Sequence, residues 1–196
     1  MSTRHLDLGC GARPRNPYQR EALHGVDIAA APAFPGHELR LANVALEPIP
    51  YADGFFDSIS AYDFLEHIPR ILPTSDGRAT RFPFVELMNE IWRVLRPDGL
   101  FYGYTPAFPH PSAFQDPTHV NILTRDSHIY FTRPDFKARM YGFKGDFSVV
   151  RVMFVKGGEF EYEPTEPAGL ARRYRLGRRA RRGELSHLVW EFRAHK

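Results

Sequence analysis

The sequence predicts an α/β fold, a doubly wound and mostly parallel sheet, and three observations carry that reading. Short apolar runs at 4–8, 24–28, 57–62 and 99–105 alternate with segments of other pattern, one of them helical at 84–95. Such alternation is the mark of strands joined by crossovers. The run from Phe101 to Tyr104 is apolar at successive positions, as suits a strand covered on both faces. The first run ends in Asp7-Leu8-Gly9-Cys10-Gly11, a carboxylate and then two glycines one residue apart, which reads as a strand entering a tight turn.

The elements follow in order. After the first strand, an irregular segment and short helix are expected over 12–23, where Pro14 and Pro17 prevent a long regular helix from starting directly after Gly11. The second strand ends in Val26-Asp27-Ile28, and short strands follow at 38–42 and 57–62. A helical turn at 63–69 and a Pro/Gly-bearing loop at 69–83 precede the helix at 84–95, whose Leu87, Ile91, Trp92 and Leu95 recur at helical spacing. Arg96-Pro97-Asp98-Gly99 then turns the chain into the fifth strand. Residues 106–132 hold four prolines and three histidines and show no clean period. A helix is expected at 133–141, with Thr132 as N-cap and Pro134 in the first turn. Two long strands, 147–162 with a bend at Gly157-Gly158 and 185–194, close the domain.

One domain over 1–196 is the expectation for this length, with loop insertions at about 69–83 and 106–132 and a basic excursion at about 164–184. A hydrophobic content of 43% supplies a full core, and no apolar stretch is long enough to span a bilayer. Met1-Ser2-Thr3-Arg4 runs straight into the first strand, so no signal peptide is expected. The single Cys10 excludes an internal disulfide and fits a reducing compartment, which makes the expected location cytoplasmic. The net charge of +3 is local in origin: residues 172–182 hold seven arginines and no acid, and without them the balance is −4. Such a segment suits a polyanion or simply solvation, and Tyr174 is its only aromatic.

A glycine turn followed about twenty residues later by a second strand tipped with Asp27 suits a nucleoside, whose ribose hydroxyls need an acceptor there. A nicotinamide dinucleotide fits poorly. Its pyrophosphate relies on a third glycine and an intact helix N-terminus, and Arg13 and Pro14 stand where those would be.

Five pieces then fall in a familiar order: Asp7-Leu8-Gly9-Cys10-Gly11, Val26-Asp27-Ile28, Pro50-Tyr51 with Phe56-Asp57, Leu65-Glu66-His67, and Leu95-Arg96-Pro97-Asp98-Gly99. Over residues 4 to 106 the chain resembles class I S-adenosylmethionine (SAM)-dependent methyltransferases of the type 11 group. Its shortened first crossover is similar to a subgroup associated with polysaccharide biosynthesis. The resemblance implies a Rossmann-like methyltransferase sheet, five parallel strands closed by an antiparallel C-terminal pair, with SAM as cofactor. It assigns Gly9 and Gly11 to the methionine part of SAM, Asp27 to both ribose hydroxyls and Ile28 to the adenine. Asp7 would hold the turn or accept from the amino group, Asn43 would accept from the adenine amino group, and Asp63 would lie near the same strand ends.

Methyl transfer from a sulfonium needs a nucleophile held in line and one proton managed. Candidates are Glu66-His67 after the fourth strand and the segment 109–121 after the fifth, which contains Asp116-Pro117-Thr118-His119. His119 can serve as a base oriented by Asp116, and His67 is a further candidate. Alternatively, His110, Asp116 and His119 can ligate a divalent metal, or Asp116 and His119 can simply bond within their own loop. Tyr104, Phe108, Phe114, Tyr130 and Phe131 either line an acceptor pocket or pack the loop. The expected acceptor is a small polar molecule, a hydroxyl of a sugar or related metabolite. Methylation of RNA through the arginine segment, or SAM binding without catalysis, are the alternatives. Asp63-Phe64-Leu65-Glu66 counts against RNA, because the N-methyltransferases of nucleic acids resemble Asn/Asp-Pro-Pro-Tyr/Phe there.

Overall fold

The computed structural model describes residues 2–29, 36–158 and 169–196, apart from the side chains of Arg172 and Arg173. Its strands are β1 (Arg4–Leu8), β2 (Ala22–Asp27), β3 (His37–Leu41), β4 (Phe56–Tyr62), β5 (Leu72–Pro73), β6 (Thr80–Arg81), β7 (Leu95–Pro106), β8 (Phe147–Val155) and β9 (His187–Ala194). The helices are α1 (Pro83–Val94), α2 (Ser112–Gln115) and α3 (Leu170–Arg181). Seven strands form one sheet in the order β3-β2-β1-β4-β7-β9-β8. The first five are parallel, and β9 runs antiparallel to both β7 and β8. Strand order reverses at β1, which lies between β2 and β4, so the C-terminal ends of β1 and β4 border the crevice where such sheets bind ligands. The predicted sheet and its antiparallel closure are therefore present.

One face of the sheet carries the main core. Phe84, Val85, Leu87, Met88, Ile91 and Val94 of α1 are buried at helical spacing, so a single stripe of the helix packs on the sheet. Pro83 opens this helix, where a missing N–H costs nothing. Trp190, Phe192, Phe147, Phe143 and Phe131 extend the core under the antiparallel pair. The other face carries a smaller cluster of Tyr62, Tyr102, Tyr104, Val155 and Val189.

The crossovers depart from the sequence-based expectations for identifiable reasons. No helix forms in 12–23. The Asn16 amide closes on Arg20 from both sides, donating to its carbonyl at 2.8 Å and accepting its N–H at 2.9 Å. This local loop competes with helical bonding. The helix expected at 133–141 is replaced by 3₁₀ turns at Arg125–Tyr130 and Lys137–Tyr141. Thr132 is no N-cap; its hydroxyl bonds back to the His128 carbonyl, and Phe136 interrupts the path with a φ of +47°. The Arg96–Gly99 turn is a bulge inside β7, since Phe56 and Ser58 of β4 pair with Leu95 and Leu100. The loop at 69–83 holds the small β5–β6 hairpin. Within the basic excursion, Leu170–Arg181 form α3, and 164–168 lie outside the described residues. Strand β8 stops at Val155, before the Gly157-Gly158 turn, and the rest of the strand expected to 162 lies outside the described residues.

Candidate functional site

The first half of the site is the turn after β1. Gly9 sits at φ +65° and its N–H reaches the Val26 carbonyl at 2.9 Å. A Cβ added there would stand 2.4 Å from the Phe64 ring, so only glycine fits without displacing Phe64. Gly11 also has positive φ, but among the described residues nothing lies within 4 Å of a Cβ built there. Its N–H donates to Asp27 Oδ2 at 2.8 Å, and Ala29 N–H donates to Asp27 Oδ1 at 2.9 Å. Asp27 is thus held at the tip of β2 with lone pairs to spare. A cleft of about 140 Å³ opens here, lined by Cys10, Gly11, Asp27, Ala29, Leu39, Arg40 and Leu41. Ile28 is 74% exposed and Leu41 64% exposed at the ends of β2 and β3. The structure therefore brings Gly9, Gly11, Asp27 and Ile28 to one edge. Asn43 lies beyond it, where its side chain accepts the Ala45 N–H at 3.3 Å and closes its own turn.

Asp7 faces inward. Its Oδ2 accepts the Arg15 N–H at 2.8 Å and its Oδ1 accepts the Ser60 hydroxyl at 2.5 Å. His5, two residues earlier on the same face, bridges Ser58 and Ser60 at 2.8 Å each. Sequence reasoning passed over His5, although His5/Asp7 and Ser58/Ser60 alternate on strands that pair. Burial pushes the Asp7 carboxyl up to about 7, and burial followed by the Arg20 charge pushes His5 down to about 3.

These shifts have opposite signs in stability. A carboxyl raised on folding loses stability as pH rises from about 4 to 7, because only the unfolded chain releases the proton. A histidine lowered on folding gains stability as pH rises from about 3 to 6.5, because only the unfolded chain must shed one. In the wild type the two slopes offset between pH 4.5 and 6. Asp7→Asn removes one of them. Its stability is expected to rise by about 2 kcal/mol over that range, at ~1.4 kcal/mol per pH unit. Urea unfolding of both proteins at the two pH values checks this; parallel curves would show that the pair does not titrate as described.

The second half of the site lies beyond β4 and β7. The 3₁₀ turn Leu65–His67 follows β4 directly and buries Glu66 completely. Glu66 Oε2 accepts the Thr105 hydroxyl at 2.9 Å, while Oε1 is buried without a hydrogen-bond partner among the described residues. Burial is the main cause that pushes the Glu66 carboxyl up to about 7. The loop after β7 is fastened to this turn. Val120 and Asn121 N–H both donate to the Glu66 carbonyl, at 2.8 and 2.9 Å, and the Asn121 amide donates to the carbonyls of Leu65 and Ile68. Asn121 is thereby the positioning residue that sequence reasoning left without a role.

This clamp brings His119 over Glu66. His119 Nε2 stands 4.0 Å from Glu66 Oε1 and 4.0 Å from Asp116 Oδ2, and its ring meets His67 edge-on at 4.8 Å. Asp116 makes its hydrogen bonds elsewhere: its Oδ1 accepts the Thr118 N–H at 2.8 Å and the Thr118 hydroxyl at 2.6 Å. Those bonds, the side-chain one first, hold its carboxyl below the usual range. Thr118 Oγ1 in turn lies 2.9 Å from His67 Nδ1. Asp116 therefore reaches His67 through Thr118, a link not anticipated. His110 bonds Ser112 instead and stands outside the group.

Asp63 closes the site from a third side. It lies at φ +47° and its Oδ1 meets His187 Nε2 at 3.1 Å, while the His187 ring stacks on Tyr104 at 4.4 Å. His187 had no recognised constellation in the sequence, because its partners lie 124 and 83 residues away, just after β4 and on β7. Among the aromatics, Phe131 belongs to the main core and Tyr104 to the second cluster; Phe108 and Phe114 are half exposed and meet edge-on.

A parallel sheet with an antiparallel closing pair, a glycine turn at its switch point and an acid at the tip of β2 define a class I SAM-dependent methyltransferase. The methyltransferase domain family matches residues 6–103, half of the chain, and the chain belongs to that family. Its cofactor is S-adenosylmethionine. No curated protein matches. Solved structures share the fold at low identity. A chain of the complex between the Haloferax volcanii Trm112 methyltransferase activator and a methyltransferase superposes with TM-score 0.59 at 14% identity, covering 100% of this chain and 84% of that one. A SAM-dependent methyltransferase from Archaeoglobus fulgidus gives 0.53 at 14%, covering 100% and 86%. The Burkholderia thailandensis 1,6-didemethyltoxoflavin-N1-methyltransferase, solved with its substrate and S-adenosylhomocysteine, gives 0.54 at 16%, covering 100% and 72%.

The residues present fit the cofactor. The open space beside Gly11 and the exposed side chains of Ile28 and Leu41 leave room and apolar surface for a nucleoside next to the Asp27 carboxylate. When bound, the cofactor supplies an electrophilic methyl group on sulfur.

Proposed function

We propose that this chain methylates a hydroxyl of a small polar acceptor, a sugar or related metabolite, as one methyltransferase unit over its whole length. The carrying observation is the five-residue path Asp63–His67. At one end Phe64 packs on the Gly9 turn, and at the other Glu66 and His67 meet His119. The cofactor edge and a buried acid–imidazole cluster are thus consecutive on the chain. In this reading Gly9 and Gly11 approach the methionine part and Asp27 accepts from the ribose. Ile28 packs on the adenine, Asp7 fixes the turn, and Asn43 and Asp63 border the cofactor. The cluster of His119, Asp116 and His67, with Glu66, manages the acceptor's proton. Because the leaving sulfide is neutral, positioning and that proton are what the protein must supply.

Phe108 and Phe114 would form the acceptor wall. Helix α3 keeps Tyr174 66% exposed among its arginines, and that isolated ring is a poor platform for bases, so nucleic acid is not the favoured partner. No helix among the described residues is long and apolar enough to cross a membrane. Burial pushes the Cys10 thiol up to about 12, which leaves it inert; a cytoplasmic location is part of this reading.

Calorimetric titration tests the cofactor half. S-adenosylhomocysteine is expected to bind and NAD not to bind. Asp27→Ala is expected to weaken binding by about 1–3 kcal/mol, because the ribose loses a charged acceptor. A folded wild-type protein giving no heat with SAM or S-adenosylhomocysteine would remove the reading.

A further inference from the structure

We propose that Glu66, His67 and His119 form a binding site for a divalent transition-metal ion, beside the methyl-transfer site. Ligand atoms of the three side chains all lie within 4.8 Å of one another. An ion with bonds of about 2.1 Å requires neighbouring ligand atoms roughly 3.0–3.5 Å apart, so side-chain rotations of about 1 Å complete the site. Two features mark the cluster as built for a ligand. Among the described residues, Glu66 Oε1 is fully buried and unpartnered, and His119 Nδ1 is unpartnered in a side chain only 9% exposed. Buried polar atoms are normally paired. Here one belongs to a carboxylate and the other to the imidazole whose second nitrogen, Nε2, faces that carboxylate oxygen at 4.0 Å.

The hydrogen-bond network also fixes the chemistry of His67. Thr118 has one hydroxyl proton, and it goes to Asp116 Oδ1, which already accepts the Thr118 N–H. Thr118 Oγ1 must therefore accept from His67 Nδ1–H. That assignment leaves Nε2 of His67 with its lone pair, the form that ligates. A histidine held through its other nitrogen by a hydroxyl and a carboxylate behind it is the usual support of a metal ligand. Two imidazoles and one carboxylate select ions of the zinc, cobalt and iron kind over magnesium or calcium. Three protein ligands leave positions open for oxygens of a second molecule. That those oxygens belong to the methyl acceptor rests on the proposed function; binding of the ion does not.

The test is Co²⁺ titration of chelator-treated, tag-free protein, followed by visible absorption and calorimetry, beside S-adenosylhomocysteine titration of the same samples. One Co²⁺ is expected per chain. Glu66→Gln and His119→Ala are expected to weaken it a hundredfold or more, and His110→Ala not at all. Thr118→Val, an exposed change, should weaken it about 10–100-fold by freeing the His67 ring, so the inference stays testable if a buried variant fails to fold. Absent Co²⁺ binding with intact S-adenosylhomocysteine binding overturns the metal site alone. So does Co²⁺ affinity that is unchanged in Glu66→Gln, His119→Ala and Thr118→Val. Failure of S-adenosylhomocysteine to bind while these Co²⁺ effects appear overturns the proposed function instead.

Discussion

Replacing His119 with alanine is expected to lower methyl transfer by about a hundredfold or more while S-adenosylhomocysteine affinity stays within about twofold. The split follows from placement. His119 belongs to the loop after β7 and meets Glu66 Oε1 and Asp116 Oδ2, whereas the edge proposed for the nucleoside is made by the ends of β1, β2 and β3. Removing the imidazole leaves Glu66 buried opposite an empty space and removes the group nearest its free oxygen, whether that group binds a proton or an ion. Glu66→Gln keeps the shape, an oxygen for the Thr105 hydroxyl and both backbone bonds to the loop, so its loss should match that of His119→Ala without loss of stability. Steady-state rates with the true acceptor, paired with calorimetry for the cofactor product, separate the two effects. Wild-type rates in both variants would make the cluster structural and move proton handling elsewhere, with Asp63 and His187 the next pair to examine.

The contrast between the two halves of the site shows what a sequence can carry. The edge proposed for the cofactor was legible as a place in the fold because its residues sit in short, ordered motifs: Gly9 and Gly11 shape one turn, and Asp27 and Ile28 end one strand. The sheet was legible for the same reason, since each strand is a run that declares itself. The cluster was only half legible. His119, Asp116 and His67 could be chosen as candidates by residue type, but not their connections. Asp116 reaches His67 through Thr118, and Asn121 sets the height of the loop over Glu66, through pairings 51 to 56 residues apart in sequence. Glu66 itself read as one member of a family motif, and nothing local announced that its carboxylate would be buried. The crossovers were misread where one side chain outbids helical bonding, as Asn16 does across 16–20 and Thr132 does over His128. Propensity counts residues singly and does not see those closures.

Gly9→Ala is expected to damage both the fold and the cofactor edge, and its size can be divided. The left-handed backbone at φ +65° costs a residue with a Cβ about 1–2 kcal/mol. The new methyl would also meet Phe64 at 2.4, 3.0 and 3.3 Å to Cδ2, Cγ and Cβ, which forces the ring aside at a cost of about 1–3 kcal/mol. Gly11→Ala pays only the first cost, since among the described residues nothing lies within 4 Å of its added Cβ. Urea midpoints should therefore fall further for Gly9→Ala than for Gly11→Ala. In a Phe64→Ala background the two substitutions should become nearly equal, because the collision is gone and only the backbone term remains. Displacing Phe64 also shifts the segment that leads to Glu66 and His67. Gly9→Ala is thus the change in the cofactor turn that should lower turnover in protein already saturated with SAM, whereas Gly11→Ala should act on SAM affinity. Equal losses from Gly9→Ala and Gly11→Ala in the wild-type background would mean that Phe64 does not brace the turn, and the mechanical link from the glycine turn to the buried cluster would be lost.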